Sequence, residues 1–388
     1  MPGATIEAEL ERHVQFGEFG YPVYVRSSPT AWAELTELTA GLEPTPDRFV
    51  LVTDGGVPAA AVRTVRESLD ATGREVTMIR ASAREVDKNL AGVMALADTA
   101  IGDKITRRSV VVGLGGGLVC NVSGLLAALT FRGIRVVYLP TTFLAAFDGT
   151  LSRKVAVNSR VGKNHLGTFW TPELVWTHLS FMATLPPDEL RAGLCEGIKN
   201  VMTITPERYD EWAARLRPDA SYTDQELLWF GDQCITAKQI VMAGDPDEKG
   251  PAVRLEYGHT IGHLAELLTG MPHGLAVGVG CLVAARIAAR LGFLDAGVEE
   301  ATQKLLERND APTMFYRGFT VEGARRGIGR DNKRGYLDPR DGYADMVLLS
   351  RPGHALESPV NSVKFKKIPL VQVPMDAVLD GVQSRLTL

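Results

Sequence analysis

The 388-residue sequence is poor in cysteine: Cys120, Cys195, Cys234 and Cys281 are scattered with no short paired spacing. That scarcity excludes a disulfide framework and a cysteine zinc cluster, and leaves four free, buried thiols as the expectation. Charge of one sign is also lacking. Lys and Arg number 42 against 46 Asp and Glu, for a formal net charge of −4 and a pI near 6.0. No general field therefore draws the chain to nucleic acid or to an anionic membrane, and any phosphate recognition must be local. Long apolar runs are absent as well, since none approaches the roughly 20 residues that span a bilayer. The N-terminal MPGATIEAELERH has no basic start followed by an apolar core. A soluble, cytoplasmic protein is expected.

What is present is core material and alternation. Hydrophobic residues make up 45% of a chain longer than one hydrophobic core usually organises, so two domains are expected. Through the first half, β-rich runs alternate with amphipathic ones: RFVLVTD (48–54), VPAAAVRTVRESLDATG (57–73), EVTMIRA (75–81), NLAGVMALADTAI (89–101), SVVVGLGGG (109–117), NVSGLLAALTFRG (121–133) and RVVYLPTT (135–142). Such alternation predicts crossover units on a largely parallel sheet, an α/β fold. Beyond about residue 180, helical periods dominate in PDELRAGLCEGIKNVM (187–202), TDQELLWFGDQCITAKQIVM (223–242), TIGHLAELL (260–268) and AVGVGCLVAARIAARLG (276–292). The expected domains are 1–180 and a mainly helical 181–388, divided near the Pro186-Pro187 pair. The tail carries a possible strand at VKFKKIPLVQV (363–373).

Three stretches carry chemistry. The strand SVVVGL runs into Gly115, Gly116 and Gly117 ahead of a helical pattern, and backbone amides at such a turn can approach an anion. The spacing misses GxGxxG, because Leu118 stands where the third glycine belongs, so a ligand-free tight turn is an equal reading. Asp54, at the end of RFVLVTD, suits either ribose hydroxyls or the turn TDGG. In RLEYGHTIGH (254–263), His259 and His263 lie one helical turn apart, and His273 follows in MPHGLAVGVG. With Glu196 of LCEGIKN they could make a divalent site with open positions; the bland alternative is a helix start with core or solvated histidines. Between Pro140 and Trp170, Lys154, Lys163, Asp148, Asn158 and Asn164 mingle with small residues, a loop composition that suits a phosphorylated polyol.

Taken in order, GGGLVCNVSG, FRGIRVVYLPTTFLAAFDG, the stretch from Lys154 to Asn164, EGIKN and EYGHTIGH followed by PHG resemble the sugar phosphate cyclases related to 3-dehydroquinate synthase, over about residues 50–340. The resemblance implies an N-terminal Rossmann-like NAD domain and a mainly α-helical C-terminal domain that binds metal and substrate. It implies zinc or cobalt on Glu196, His259 and His273, with His263 left for substrate phosphate or proton transfer. It further implies substrate contacts from Asp148, Lys154, Asn164 and Lys199, and an Arg132 that reaches a phosphate across a homodimer interface; the charge of Lys163, in the same stretch, suits it to bind that phosphate too. Asp54, Glu85, Lys88, Gly115, Gly116, Gly117, Thr141 and Thr142 would line the NAD site.

Departures from the dehydroquinate-forming pattern narrow the expectation. Ala252 stands where that pattern has the arginine that meets a substrate carboxylate, and Glu256 replaces an asparagine. Without the cation, and beside Glu256, a carboxylated substrate is poorly paired and a neutral sugar phosphate fits better. An EYGHTIGH segment with this glutamate resembles the members that cyclise D-glucose 6-phosphate on the route to 2-deoxystreptamine aminoglycosides. Their reaction combines transient oxidation at C4, loss of phosphate, re-reduction and aldol closure, the work of a carbon-oxygen lyase. Lys154, Glu256 and His263 are the expected catalytic residues. Asn121 stands where relatives often carry an acidic residue, which puts one cofactor contact in question, and His165 replaces an apolar residue after GKN. The alternatives are 3-dehydroquinate synthase, a sedoheptulose 7-phosphate cyclase, a metal-dependent alcohol dehydrogenase, or a nucleotide-binding protein without catalysis.

Overall fold

Two adjacent apolar runs of six residues, each nearly or wholly buried, set the first unit of the computed structural model, which describes residues 8–295, 297–331 and 333–387. Its strands are β1 (Leu10–Phe16), β2 (Phe19–Arg26), β3 (Arg48–Thr53), β4 (Glu75–Arg80), β5 (Val110–Gly115), β6 (Arg135–Pro140), β7 (Lys154–Ser159), β8 (Gly162–Phe169) and β9 (Leu174–His178). Seven of them form one sheet in the order β1-β2-β9-β6-β5-β3-β4, and every neighbouring pair but β1/β2 is parallel. Continuous apolar strands such as VVVGLG belong in a sheet covered on both faces. Helices α1 (Ala31–Ala40) and α2 (Ala59–Asp70) bury Leu35, Val62, Val65 and Leu69 against Phe49, Leu51, Val112 and Leu139 on one face. On the other face lie α3 (Leu90–Gly102) and α4 (Gly117–Leu129), where Gly113 and Gly124 let Ser123 and Tyr138 come close.

The second unit is mainly helical. It holds α5 (Pro187–Thr203), α6 (Tyr209–Arg215), the C-terminal part of α7 (Asp224–Met242), α8 (His259–Thr269), α9 (His273–Arg290), α10 (Gly297–Arg308), α11 (Val321–Ile328) and α12 (Met375–Gln383). The chain divides at Leu185/Pro186, and Tyr222–Ile235, from within the stretch 181–388, groups with the first unit. Helix α9 is buried along nearly its whole length. Among the described residues it is the one helix long and apolar enough to cross a membrane, yet 78% of it is packed inside the protein.

Differences from the sequence reading are local. The N-terminal hairpin β1/β2 and helix α1 precede the first run singled out in the sequence. The lysine and asparagine stretch is not a loop: β7 and β8 pair as an antiparallel hairpin, because Val155 and Val157 alternate inward on β7. The tail strand splits in two, Lys367–Ile368 pairing with Ser358–Pro359 and Val371–Pro374 with Tyr343–Met346, before α12 closes the chain.

Candidate active site

The C-terminal ends of parallel strands gather the first set of expected residues. Chain order places β4 on one side of β3 and β5 on the other, so the sheet reverses direction between β3 and β5, where α/β folds bind nucleotides. Asp54 follows β3, the three glycines follow β5, and Thr141 and Thr142 follow β6. Gly116 caps α4 without any side-chain bond, and a Cβ on Gly117 would meet nothing within 4 Å, so the helix start is open to an anion. That openness fits a pyrophosphate. Asp54 uses one oxygen to accept from Gly56 N at 2.8 Å, and Thr142 Oγ1 accepts from Ala145 N at 3.1 Å. Asp148 sits in a single π-helical turn, Ala145–Gly149, on the segment that follows β6.

The β7/β8 hairpin is tied to this edge by its polar side chains. Asn158 donates to Glu85 Oε1 at 2.9 Å and accepts from Asn164 N at 3.0 Å, while Lys163 Nζ pairs with Glu85 at 3.0 Å. Lys88, buried, donates to Asn164 Oδ1 at 2.7 Å. The expected cofactor residues Glu85 and Lys88 and the expected substrate residues Lys163 and Asn164 are thus brought together, and Lys154 opens β7 in an exposed position. Asn121 acts within the fold: its amide donates to Gly117 O and its carbonyl accepts from Ala156 N, joining α4 to β7. An aspartate could not make both bonds. His165 lies over Gly162 and shares a 3.0 Å bond with Ser159 Oγ, which gives it a place in the hairpin. Arg132 is exposed on a turn where Phe131 and Arg132 both have left-handed backbone (φ 51 and 70), pinned by Trp170 against Gly133. Two such residues cost on the order of 1–3 kcal/mol each, strain of the kind found at functional sites.

In the second unit the histidines converge. His259 opens α8 and His263 follows one turn on, their ring centroids 5.0 Å apart. Gly258, at φ +79, lies against Val277 O and Cys281 of α9, so only a residue without Cβ lets the two helices close up here. The chain turns through Gly270 and Pro272, and His273, first residue of α9, comes back to 5.3 and 5.5 Å from the other two rings. One ring nitrogen of each imidazole lies within 4.8 Å of the others. From α5, Glu196 presents Oε1 at 3.7 Å from His259 Nε2 and 3.5 Å from His273 Nε2, and Lys199 Nζ stands 2.6 Å from Oε2.

The donor set fits a divalent ion. Among the described residues nothing hydrogen-bonds Glu196 Oε1, although the side chain is only 1% exposed. A buried carboxylate oxygen with imidazole nitrogens as its neighbours lacks a cation, and His₂Glu suits zinc or cobalt. The Tyr257 carbonyl can only accept, so it takes a hydrogen from His259 Nδ1 at 3.1 Å and leaves Nε2 with its lone pair. Burial pushes His259 and His263 down to about 3, against the pull of the Glu256 carboxylate, so both rings are neutral at pH 7, the form that ligates.

Glu256 ends the short helix Pro251–Glu256, which Asp245 organises by accepting from Lys249, Gly250 and Ala252 backbone N–H groups at 2.9, 2.7 and 3.0 Å. Its Oε2 is 3.7 Å from Lys333 Nζ, and Lys333, 2% exposed, is held by Asp331 at 2.9 Å. Ala252 is fully buried. The sequence reading missed Lys333, Asp331 and Asp245. RDNKRG reads as a solvated charged run, and no periodicity marks a buried lysine within it. Lys238, buried on α7, was not singled out either.

Comparison with known proteins agrees with this arrangement. The 3-dehydroquinate synthase N-terminal family matches residues 78–192 and the 3-dehydroquinate synthase C-terminal family residues 193–334. A 2-deoxy-scyllo-inosose synthase of Streptomyces fradiae is 42% identical over 300 residues, covering 77% of this chain and 68% of that one. A crystal structure of 2-deoxy-scyllo-inosose synthase complexed with carbaglucose-6-phosphate, NAD+ and Co2+ superposes with a TM-score of 0.87 at 30% identity, covering 97% of this chain and all of the other. An iron-containing alcohol dehydrogenase shares the fold at a TM-score of 0.64 and 12% identity, over 97% of this chain and 99% of that one. With both halves matched and relatives of that name spanning most of its length, this chain belongs to the 3-dehydroquinate synthase family, among its 2-deoxy-scyllo-inosose synthases.

Proposed function

We propose that the chain is a sugar phosphate cyclase of the carbon-oxygen lyase class that converts D-glucose 6-phosphate to 2-deoxy-scyllo-inosose and phosphate, for 2-deoxystreptamine aminoglycoside biosynthesis in the cytoplasm. The observation that carries this reading is Glu256 beside the imidazoles, with a buried Ala252 where a carboxylate-binding arginine would stand. A negative group there disfavours a carboxylated substrate and tolerates a neutral polyol. The names of the relatives, and the sugar phosphate analogue, NAD+ and Co2+ in the 30%-identical structure, support it.

In this reading residues 1–180 hold NAD through Asp54, Glu85, Lys88, the three glycines, Thr141 and Thr142, and residues 181–388 hold zinc or cobalt through Glu196, His259 and His273. When bound, NAD supplies a reversible hydride acceptor for C4 and the metal a Lewis acid for its oxygen. The chain's own groups do the rest. Lys163, Asn164, Lys199 and, across a homodimer, Arg132 of the neighbouring protomer bind the phosphate, with Asp148 on the sugar hydroxyls; Lys154 and His263 offset the charge that grows as phosphate leaves. Glu256, half-buried beside neutral imidazoles, holds or exchanges a proton on the sugar during elimination and closure. Incubation with D-glucose 6-phosphate, NAD and Co2+ should release phosphate and yield the carbocycle by NMR without net NADH. Stoichiometric NADH without phosphate would instead mark an alcohol dehydrogenase, and turnover of a seven-carbon substrate another cyclase.

A further inference from the structure

Helix α8 carries a second functional group beyond its histidines. Glu266 lies seven residues, two turns, after His259, so it shares that face of the helix. Its Oε2 stands 3.0 Å from Nδ1 of His273, the first residue of α9. A carboxylate only accepts, so Nδ1 carries the hydrogen and Nε2 is left with its lone pair, 3.5 Å from Glu196 Oε1. His273 needs such a partner more than His259 does. Its side chain is 27% exposed against 10% for His259, and the last torsion of an imidazole is broad, so the surroundings confine its ring plane less.

The bonds at the outer nitrogens also separate the three imidazoles. His259 gives its outer hydrogen to Tyr257 O and His273 to Glu266, whereas among the described residues neither ring nitrogen of His263 has a hydrogen bond. Histidines that ligate a metal almost always donate their other N–H to a carboxylate or carbonyl. We propose that Glu266 is a positioning residue of the metal centre: it fixes the tautomer and ring plane of His273, raises the basicity of its Nε2, and with the Tyr257 carbonyl marks His259 and His273, not His263, as the ligating pair. This rests on the reading of Glu196, His259 and His273 as ligands.

The test is the Co2+ dissociation constant, by chelator competition on the metal-stripped full-length chain, for wild type, Glu266→Ala, the isosteric Glu266→Gln, His259→Ala and His263→Ala. Glu266→Ala should weaken Co2+ by about 10–100-fold and Glu266→Gln by an amount at the low end of that range. Nitrogen-15 spectra of the imidazoles should show His273 losing its single Nδ1–H tautomer in Glu266→Ala. His263→Ala should weaken Co2+ much less than His259→Ala. The inference is overturned if both Glu266 variants, judged folded by their metal-free melting, bind Co2+ within about twofold of wild type while His259→Ala does not. Wild-type affinity in His259→Ala would instead overturn the ligand reading beneath it. A role of Glu266 in clamping α8 to α9 alone would lower the metal-free melting temperature and leave the affinity and the tautomer unchanged, and that result also overturns the inference.

Discussion

The two polar clusters are built on opposite principles. In the first unit the cations and amides at the strand ends satisfy one another: Lys163 pairs with Glu85, buried Lys88 with Asn164, and Asn158 with both neighbours, and all but Lys88 lie where water reaches. In the second unit Glu196, Lys199, His259 and Lys333 are nearly removed from solvent, and burial holds the His259 and His263 imidazoles neutral. A ligand entering the first cluster at Glu85, Lys163 or Asn158 exchanges one set of solvent-reached bonds for another, so single changes at those residues are mild. A cation entering the second relieves a buried carboxylate oxygen with no hydrogen-bond donor, so changes there are severe.

The largest effect is expected at His259. His259→Ala should abolish stoichiometric metal and depress turnover beyond the roughly 100-fold that changes outside the ligand shell reach. Metal analysis after dialysis checks it, and retained metal would end the contrast. Next comes Glu256→Gln, which should slow turnover by about 10²–10⁴-fold with metal and NAD content intact. Near wild-type turnover in that variant sinks the catalytic assignment.

Acid should then separate the units by stability. Burial lowers the pKa of His178, which stacks on Trp32 and bonds to Ser28 O, as well as of His259 and His263. Each binds its proton more readily unfolded than folded, so the unfolded chain gains protons first as pH falls below the ordinary histidine value of about 6.5. Their contribution is complete above that pH and is lost downward, at up to about 1.4 kcal/mol per pH unit per histidine. Melting of metal-free protein from pH 7.5 to 5 should show the fall, with two of the three histidines in the second unit; a flat profile would contradict it. The smallest effect is expected for Glu85→Gln, which removes a partly exposed ion pair worth under about 1 kcal/mol. Its melting point should scarcely move while the Michaelis constant for the sugar phosphate shifts a few-fold; a large loss of stability would show the hairpin to depend on that pair.

Much of this was legible in the sequence. The alternating runs gave β3 to β6 and α2 to α4 because strand and helix periods differ and glycine and proline punctuate them. His259, His263 and His273 were visible as a group, since one helical turn and one short hairpin fix their relation locally. The hairpin β7/β8 was not, because its inward residues are two valines among polar neighbours whose partners lie some 70 residues earlier. Lys333 was hidden for a similar reason: its burial depends on Glu256 and Asp331, not on any pattern around it. Glu266 could have been found, since HxxxHxxE keeps one helical face, but only its contact with His273 gives it a purpose.

By itself the sequence determined what depends on near neighbours: the strand-helix alternation, the glycine turn, the histidine spacing, and the replacement of arginine by Ala252 and of asparagine by Glu256. Tertiary structure decided what depends on distance in the chain and on desolvation. It chose which imidazole nitrogen is free, buried a lysine beside a glutamate, and turned a polar stretch into a hairpin fastened to a strand end. The physical reason is that a residue's type fixes which bonds it can make, while burial and long-range packing fix which of those bonds it has left to make.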